Sequence, residues 1–107
     1  MIKHLGLAYK AGKLKLGVDL SIVSMQKKQA QLVLLAYDAS ELTKKKMRDK
    51  TSYYGIELIE TYSTLDMSST LGRQNIKVVT VLDAGFKKLI KSNEGSDVHA
   101  KTKQKPE

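Results

Sequence analysis

Cysteine is absent from this chain of 107 residues, which excludes disulfides and thiolate metal sites. Histidine is scarce, with His4 near the first residue and His99 near the last. Nucleophilic catalysis needs a nucleophile, a base within reach and a group to orient that base. His4 has no such companions and reads as a surface residue of a first helix. The carboxylates are scattered and have structural uses: Asp38 and Asp83 as helix caps, Glu57 and Glu60 along the edges of a strand. No His, Asp or Glu group has metal-ligand spacing. Phosphate-binding glycine loops are missing too. Gly12-Lys-Leu-Lys-Leu-Gly17 is followed by Val18-Asp19 instead of Lys-Ser/Thr, and no GxGxxG occurs. Long apolar runs are also lacking. The longest, Leu32 to Tyr37, falls far short of the roughly 20 residues that span a bilayer. No apolar stretch follows Met1-Ile2-Lys3-His4. These absences predict a cytoplasmic protein with no enzymatic activity, metal, cofactor or membrane association.

Positive charge is plentiful. The net charge is +8, with 19 Lys and Arg against 11 Asp and Glu. Residues 92–107 carry Lys101, Lys103 and Lys105 against Glu94, Asp97 and Glu107, so the whole excess lies on residues 1–91. A folded body with that excess concentrates phosphates at its surface, and its binding falls steeply with salt. The length suits one domain with one core. Residues 92–107, with almost no apolar mass, predict a disordered tail, leaving 1–91 as the folded domain.

Helices and strands alternate along that domain. Ile2, Leu5, Ala8 and Tyr9 recur at helical spacing, with Gly12 suited to end the helix. Leu14 and Leu16 alternate with Lys13 and Lys15 as a short, half-exposed strand. Gly17 allows a tight turn into a second helix with Val18, Ile22 and Met25 inward. Leu32–Ala36 predicts a strand buried on both faces. Asp38 and Ser40 are both candidate N-caps for the next helix, and Glu41 stands three residues after Asp38 as in a capping box. That helix should end near Gly55. Ile56–Glu60 alternates as a strand, and Ser63 or Thr64 opens a helix ending at Gly72. Ile76–Leu82 is a further strand, and Asp83 caps a last helix with Phe86, Leu89 and Ile90 inward. This order predicts an α/β fold with helices on both sides of a parallel or mixed sheet.

Two basic groups stand out. Lys44, Lys45, Lys46, Arg48 and Lys50 share one helix, with like charges at i, i+4 that cost a little helix stability. A solvated helix face and phosphate contact are both open to them. Lys13 and Lys15 flank the turn at Gly17 that opens a helix, where free N–H groups beside lysines would cradle phosphate.

Leu5-Gly-Leu-Ala-x-Lys-Ala-Gly-Lys13, Leu32-Val-Leu-Leu-Ala-x-Asp-Ala-Ser40 with Thr43-Lys-Lys-Lys46, Leu71-Gly72 and Asp83-x-Gly-Phe86 occur together in one order. In this spacing the chain resembles the bacterial YlxQ-type branch of the kink-turn-binding ribosomal protein superfamily, over residues 2–91. The resemblance implies a single-domain, three-layer α-β-α sandwich around a four-stranded mixed sheet, without enzymatic activity. It also implies recognition of a kinked RNA helix in which tandem sheared G·A pairs flank a three-nucleotide bulge, by a ribosome-associated monomer. In that family the second helix opens with Gly, a variable residue and Asn-Glu, with Lys three residues after the Glu. Gly17 matches the glycine, Val18 is the variable residue, and Asp19, Leu20 and Val23 fall at the Asn, Glu and Lys positions. Leucine cannot accept the hydrogen bonds that Glu takes from guanine, Val23 removes a cation, and Asp19 repels phosphate.

Together, the basic groups and the resemblance give as candidate RNA-contacting residues Lys13, Lys15, Gly17, Val18, Asp19, Leu20, Val23, Tyr37, Lys44, Gln74, Asn75 and Ile76. Tyr37 would stack on an extruded base or pack at a strand end, and Gln74, Asn75 and Ile76 occupy the loop against the bulge. Leu20 and Val23, outward on the second helix, support an alternative. On that reading the fold is a protein-interaction module of an RNA-rich assembly, docking through these two residues without kink-turn specificity.

Overall fold

The computed structural model describes residues 2–98, with side chains as far as Ser92. In chain order the elements are α1 (Leu5–Lys10), β1 (Leu14–Leu16), α2 (Val18–Gln26), β2 (Leu32–Leu35), α3 (Glu41–Tyr54), β3 (Glu57–Ile59), α4 (Thr64–Leu71), β4 (Val78–Val81) and α5 (Ala84–Val98). The strands form a four-stranded mixed sheet in the order β1-β4-β2-β3. β4 runs antiparallel to both neighbours, with Leu14 opposite Val81 and Leu32 also opposite Val81. β2 and β3 are parallel, joined through α3.

Every residue of β2 and β4 is buried. An inner strand covered by helices on both faces must be apolar at successive positions, and the aliphatic runs of these two strands meet that demand. The edge strand β1 alternates, with Lys15 exposed between buried Leu14 and half-buried Leu16, and β3 runs from exposed Glu57 to half-buried Leu58 and Ile59. α2 packs on α3, β1 and β4, while α1 packs on α4 and α5, and α5 also reaches β4. The result is an α-β-α sandwich.

Helix ends follow local chemistry. α1 stops at Ala11, where Gly12 takes φ +72° and the N–H groups of Gly12 and Lys13 donate to the carbonyls of Tyr9 and Ala8. That 5→2 and 6→1 pair closes the helix, and glycine occupies its left-handed position without a Cβ penalty. α3 and α4 likewise end at Gly55 and Gly72 with positive φ. α4 starts with a complete capping box between Ser63 and Asp66. The Asp83 carboxylate accepts from the Phe86 N–H at 2.9 Å. Gly85, which weakens α5 by propensity, leaves room for this cap, since a Cβ there would lie 3.0 Å from Asp83 Oδ2.

Several expectations need correction. Asp38 does not cap α3. Ser40 does, its Oγ accepting from the Thr43 N–H. The capping box expected between Asp38 and Glu41 is therefore not formed. On α2, Met25 is buried and Val18 and Ile22 pack half-buried against the core as expected, but Ser21 and Ser24, not expected inward, are buried with them. Ser24 donates to the Leu20 carbonyl at 2.9 Å, the local bond that lets a serine sit inside a helix. Leu89, expected inward, is 45% exposed, because α5 buries Ile90 and packs Phe86 instead. β4 is shorter than the run Ile76–Leu82. α5 continues to Val98, across the boundary expected at residue 91. The remainder of the expected tail, 99–107 with His99, lies outside the described residues.

Candidate nucleic-acid interface

One end of the sheet gathers the turns that lead into α2, out of β2 and into β4. Gly17 adopts φ +95°, ψ +166°, a conformation reserved for glycine, and its N–H donates to the Val78 carbonyl at 2.8 Å. The Ala36 N–H donates to Lys77 O at 2.8 Å and the Tyr37 N–H to Tyr62 O at 3.0 Å. These bonds set the start of α2, the residues after β2 and the approach to β4 side by side. Gly17, being side-chainless, gives α2 no side-chain cap, so the N–H groups of the first turn face outward with the positive end of the helix dipole.

This rim brings together Gly17, Val18, Asp19, Leu20, Tyr37, Gln74, Asn75 and Ile76. Tyr37 is 53% exposed and Leu20 51%. Val23, one turn further along α2, is 40% exposed. Gln74 and Asn75 are exposed and Ile76 half-buried. Asn75 has φ +57°, which its short polar side chain tolerates, and the Ile76 N–H donates to Ser68 Oγ at 2.9 Å. The loop is thereby pinned to α4. Asp38, beside Tyr37, accepts from the Thr64 N–H at 2.9 Å and from its Oγ1 at 2.8 Å. Those two bonds hold its carboxyl below the usual carboxylate range, with a smaller contribution from the charge of Lys77.

Lys13, Lys15 and Lys44 do not join this rim as one cradle. An extended chain advances about 3.3 Å per residue, so β1 carries Lys13 to the opposite end of the sheet from Gly17. There the Lys13 carbonyl accepts from the Leu82 N–H at 2.8 Å. Lys13 and Lys15 line an open depression with Gly12, Lys28, Gln29, Gln31 and Leu82. Lys44 is turned to Glu41 at 3.6 Å and its side chain is only 17% exposed.

Two further cations of the lysine-rich helix, Lys45 and Arg48, are paired with carboxylates. Lys45 pairs with Asp49 at 2.9 Å. Arg48 grips Glu60 in a two-pronged contact, Nε to Oε2 at 2.9 Å and Nη2 to Oε1 at 2.6 Å. These hydrogen bonds raise the guanidinium's pKa and lower that of Glu60.

Sequence reasoning missed Lys77, whose charge acts on Asp38 at the rim, and Arg73, whose Nη1 donates to the Tyr9 hydroxyl at 2.7 Å. Arg73 follows the helix-ending Gly72, a position that in hindsight marks the start of a surface loop. Among the described residues no group of three or more His, Asp or Glu could hold a metal ion. Among them, too, no helix is long and apolar enough to cross a membrane.

An α-β-α sandwich whose second helix opens at a glycine beside the β2 exit and the β4 approach defines a class of small α/β domains. The chain belongs to the Ribosomal protein L7Ae/L30e/S12e/Gadd45 family, whose model matches residues 1–91. It is 41% identical over 87 residues to the protein of Enterococcus faecium called RNA-binding protein YlxQ, covering 81% of this chain and 84% of that relative. The Bacillus subtilis (strain 168) protein of the same name is 41% identical over 82 residues, covering 77% and 82%. A Bacillus halodurans protein of unknown function has a matching structure, with a TM-score of 0.81 at 32% identity over 86% of this chain and 96% of that one. A Giardia lamblia 15.5kD RNA binding protein superposes with a TM-score of 0.73 at 12% identity, over 89% and 82%, and shares the fold.

Proposed function

We propose that the protein is a non-catalytic, cytoplasmic RNA-binding protein that acts as a monomer on structured, kink-turn-like RNA in a ribosome-associated setting. The observation that carries this reading is the rim itself. An uncapped helix start at Gly17, the exposed ring of Tyr37 and the pinned loop Gln74–Ile76 converge at one end of the sheet, in a member of a family whose curated relatives are called RNA-binding.

The division of labour follows from the chemistry. N–H groups of residues 18–20 and Lys77 meet phosphate and base edges, Tyr37 offers a face for stacking, and the Asn75 loop lies against unpaired nucleotides. Asp19, Leu20 and Val23 make the base reading differ from the pattern with Asn, Glu and Lys at those positions. The test is titration against a kink-turn RNA and a matched RNA whose G·A pairs are made Watson–Crick, at two salt concentrations. Tighter binding to the first, persisting at the higher salt, is the expected result. Equal, salt-labile binding to both overturns kink-turn recognition.

Leu20 and Val23 favour a second reading, since two exposed apolar side chains lie one turn apart on that rim. In it, the rim docks a protein partner in an RNA-rich assembly. Leu20→Glu with Val23→Lys separates the two: a gain of kink-turn affinity favours RNA recognition, and loss of a co-purifying partner favours docking.

A further inference from the structure

Three helices of this fold end with glycine in the left-handed position, at Gly12, Gly55 and Gly72, with φ between +65° and +72°. α2 ends with the same backbone pattern but a different residue. The Lys28 N–H donates to Met25 O at 3.0 Å and the Gln29 N–H to Ser24 O at 2.9 Å, with Lys28 at φ +61°. A residue with a Cβ is strained in that position, where glycine is not. Neutralising the negative end of the helix dipole does not require the strain, because Lys27 already stands at the C-cap.

The strained backbone places Lys28 in company. It lines an open depression of about 530 Å³ together with Lys13, Lys15, Gln29, Gln31, Gly12 and Leu82, a lining without any carboxylate. The walls are strand ends fixed by backbone bonds, Leu82 N–H to Lys13 O and Gln31 N–H to Val81 O, each at 2.8 Å. Neither Lys13, Lys15 nor Lys28 takes part in an ion pair among the described residues, unlike Lys44, Lys45 and Arg48 on α3. Three unneutralised ammonium groups with two amide side chains between them match the spaced anions and sugar hydroxyls of a nucleic-acid backbone. α2 is nine residues long, so the depression lies about 14 Å along its axis from the rim at Gly17.

We infer that this depression is a second RNA-backbone contact, separate from the rim, gripping phosphates through Lys13, Lys15 and Lys28 without reading bases. The inference rests on the RNA-binding reading above for the identity of the polyanion, and extends the footprint from the start of α2 past its end. Contacts of this kind add affinity and salt dependence, and leave the preference among sequences unchanged.

The test uses the full chain with polyuridylate, a probe without a kink-turn, across a salt series. Lys13→Ala/Lys15→Ala/Lys28→Gly should reduce the log–log salt slope by about 2, at about 0.7 per lost single-strand contact. A control with the same charge loss from the paired cations of α3, Lys44→Ala/Lys45→Ala/Arg48→Ala, should reduce it much less. Lys28→Gly alone should raise the thermal midpoint while lowering the slope by about 0.7. An equal fall in the α3 control overturns the inference, as does a stabilised Lys28→Gly protein with an unchanged slope. Failure to discriminate kink-turn RNA from its Watson–Crick control would overturn the specificity of the rim and leave this slope comparison standing.

Discussion

At the end of the sheet where α2 begins, the surface is made of a glycine turn, an aromatic ring, a pinned polar loop and two apolar side chains. Where α2 finishes, it is made of lysines and glutamines. Both ends hang from the same two buried strands, β2 and β4, yet one suits recognition by shape and the other attraction by charge. Net charge alone is therefore a poor guide to where a polyanion sits. In the densest basic run of the sequence, on α3, Lys44, Lys45 and Arg48 are matched by Glu41, Asp49 and Glu60. The sparser lysines of β1 and the end of α2 stand without such partners and present their full charge to solvent.

The two ends separate most sharply when one alone is disabled. Gly17→Ala introduces a Cβ into open space, with nothing within 4 Å, so its whole cost is backbone strain at φ +95°. That cost is about 2 kcal/mol, read as a lowered midpoint in chemical denaturation. At matched folded fractions, affinity for the kink-turn RNA should drop while the polyuridylate salt slope stays as it was. A parallel fall in both would mean that the two ends act as one surface.

A smaller effect tests the scaffold between them. Thr80 lies in β4 opposite Lys15 on one side and Val33 on the other, and its buried hydroxyl has no hydrogen-bond partner among the described residues. An unsatisfied buried hydroxyl is destabilising, and the isosteric methyl of valine removes the penalty. Thr80→Val should stabilise the fold by about 1 kcal/mol in denaturant titration, with neither RNA measurement altered. A loss of stability would show that the hydroxyl is satisfied in solution.

Much of this architecture was legible in the sequence because local rules decide it. The runs at Leu32–Leu35 and Val78–Val81 declare strands covered on both faces, and Gly55 and Gly72 declare helix ends. The misreadings occur where a distant partner decides. Asp38 looks like a cap for the helix just ahead, but its carboxylate is taken by Thr64, 26 residues away. The burial of Ser21 and Ser24 on α2 escaped because both are polar by type. At the rim, Gly17, Tyr37 and Gln74–Ile76 could be assembled from the resemblance. Lys13 looks close to Gly17 in sequence, four residues before it, whereas a strand separates them by about 13 Å. Lys28 left no signal, since a lysine at a left-handed helix end carries none of the glycine signature that marks the other ends.

The smallest expected effect concerns acid, and it separates the balanced charges of α3 from the unbalanced ones of β1. Arg48 hydrogen-bonds Glu60 and holds its carboxyl below the ordinary range. A carboxyl whose pKa is lower folded than unfolded binds its proton more readily when unfolded. Its contribution is therefore fully present above the ordinary carboxylate pKa and is lost as pH falls through the depressed value. Glu60→Gln should lower stability slightly at neutral pH, little because the pair is partly exposed, and should flatten the acid limb of a stability–pH profile. At neutral pH the same substitution also frees Arg48 from its counter-charge. If the polyuridylate salt slope then rises, pairing with carboxylates is what keeps the basic face of α3 out of RNA binding. An unchanged slope would show instead that geometry, and not neutralisation, distinguishes α3 from the lysines at the end of α2.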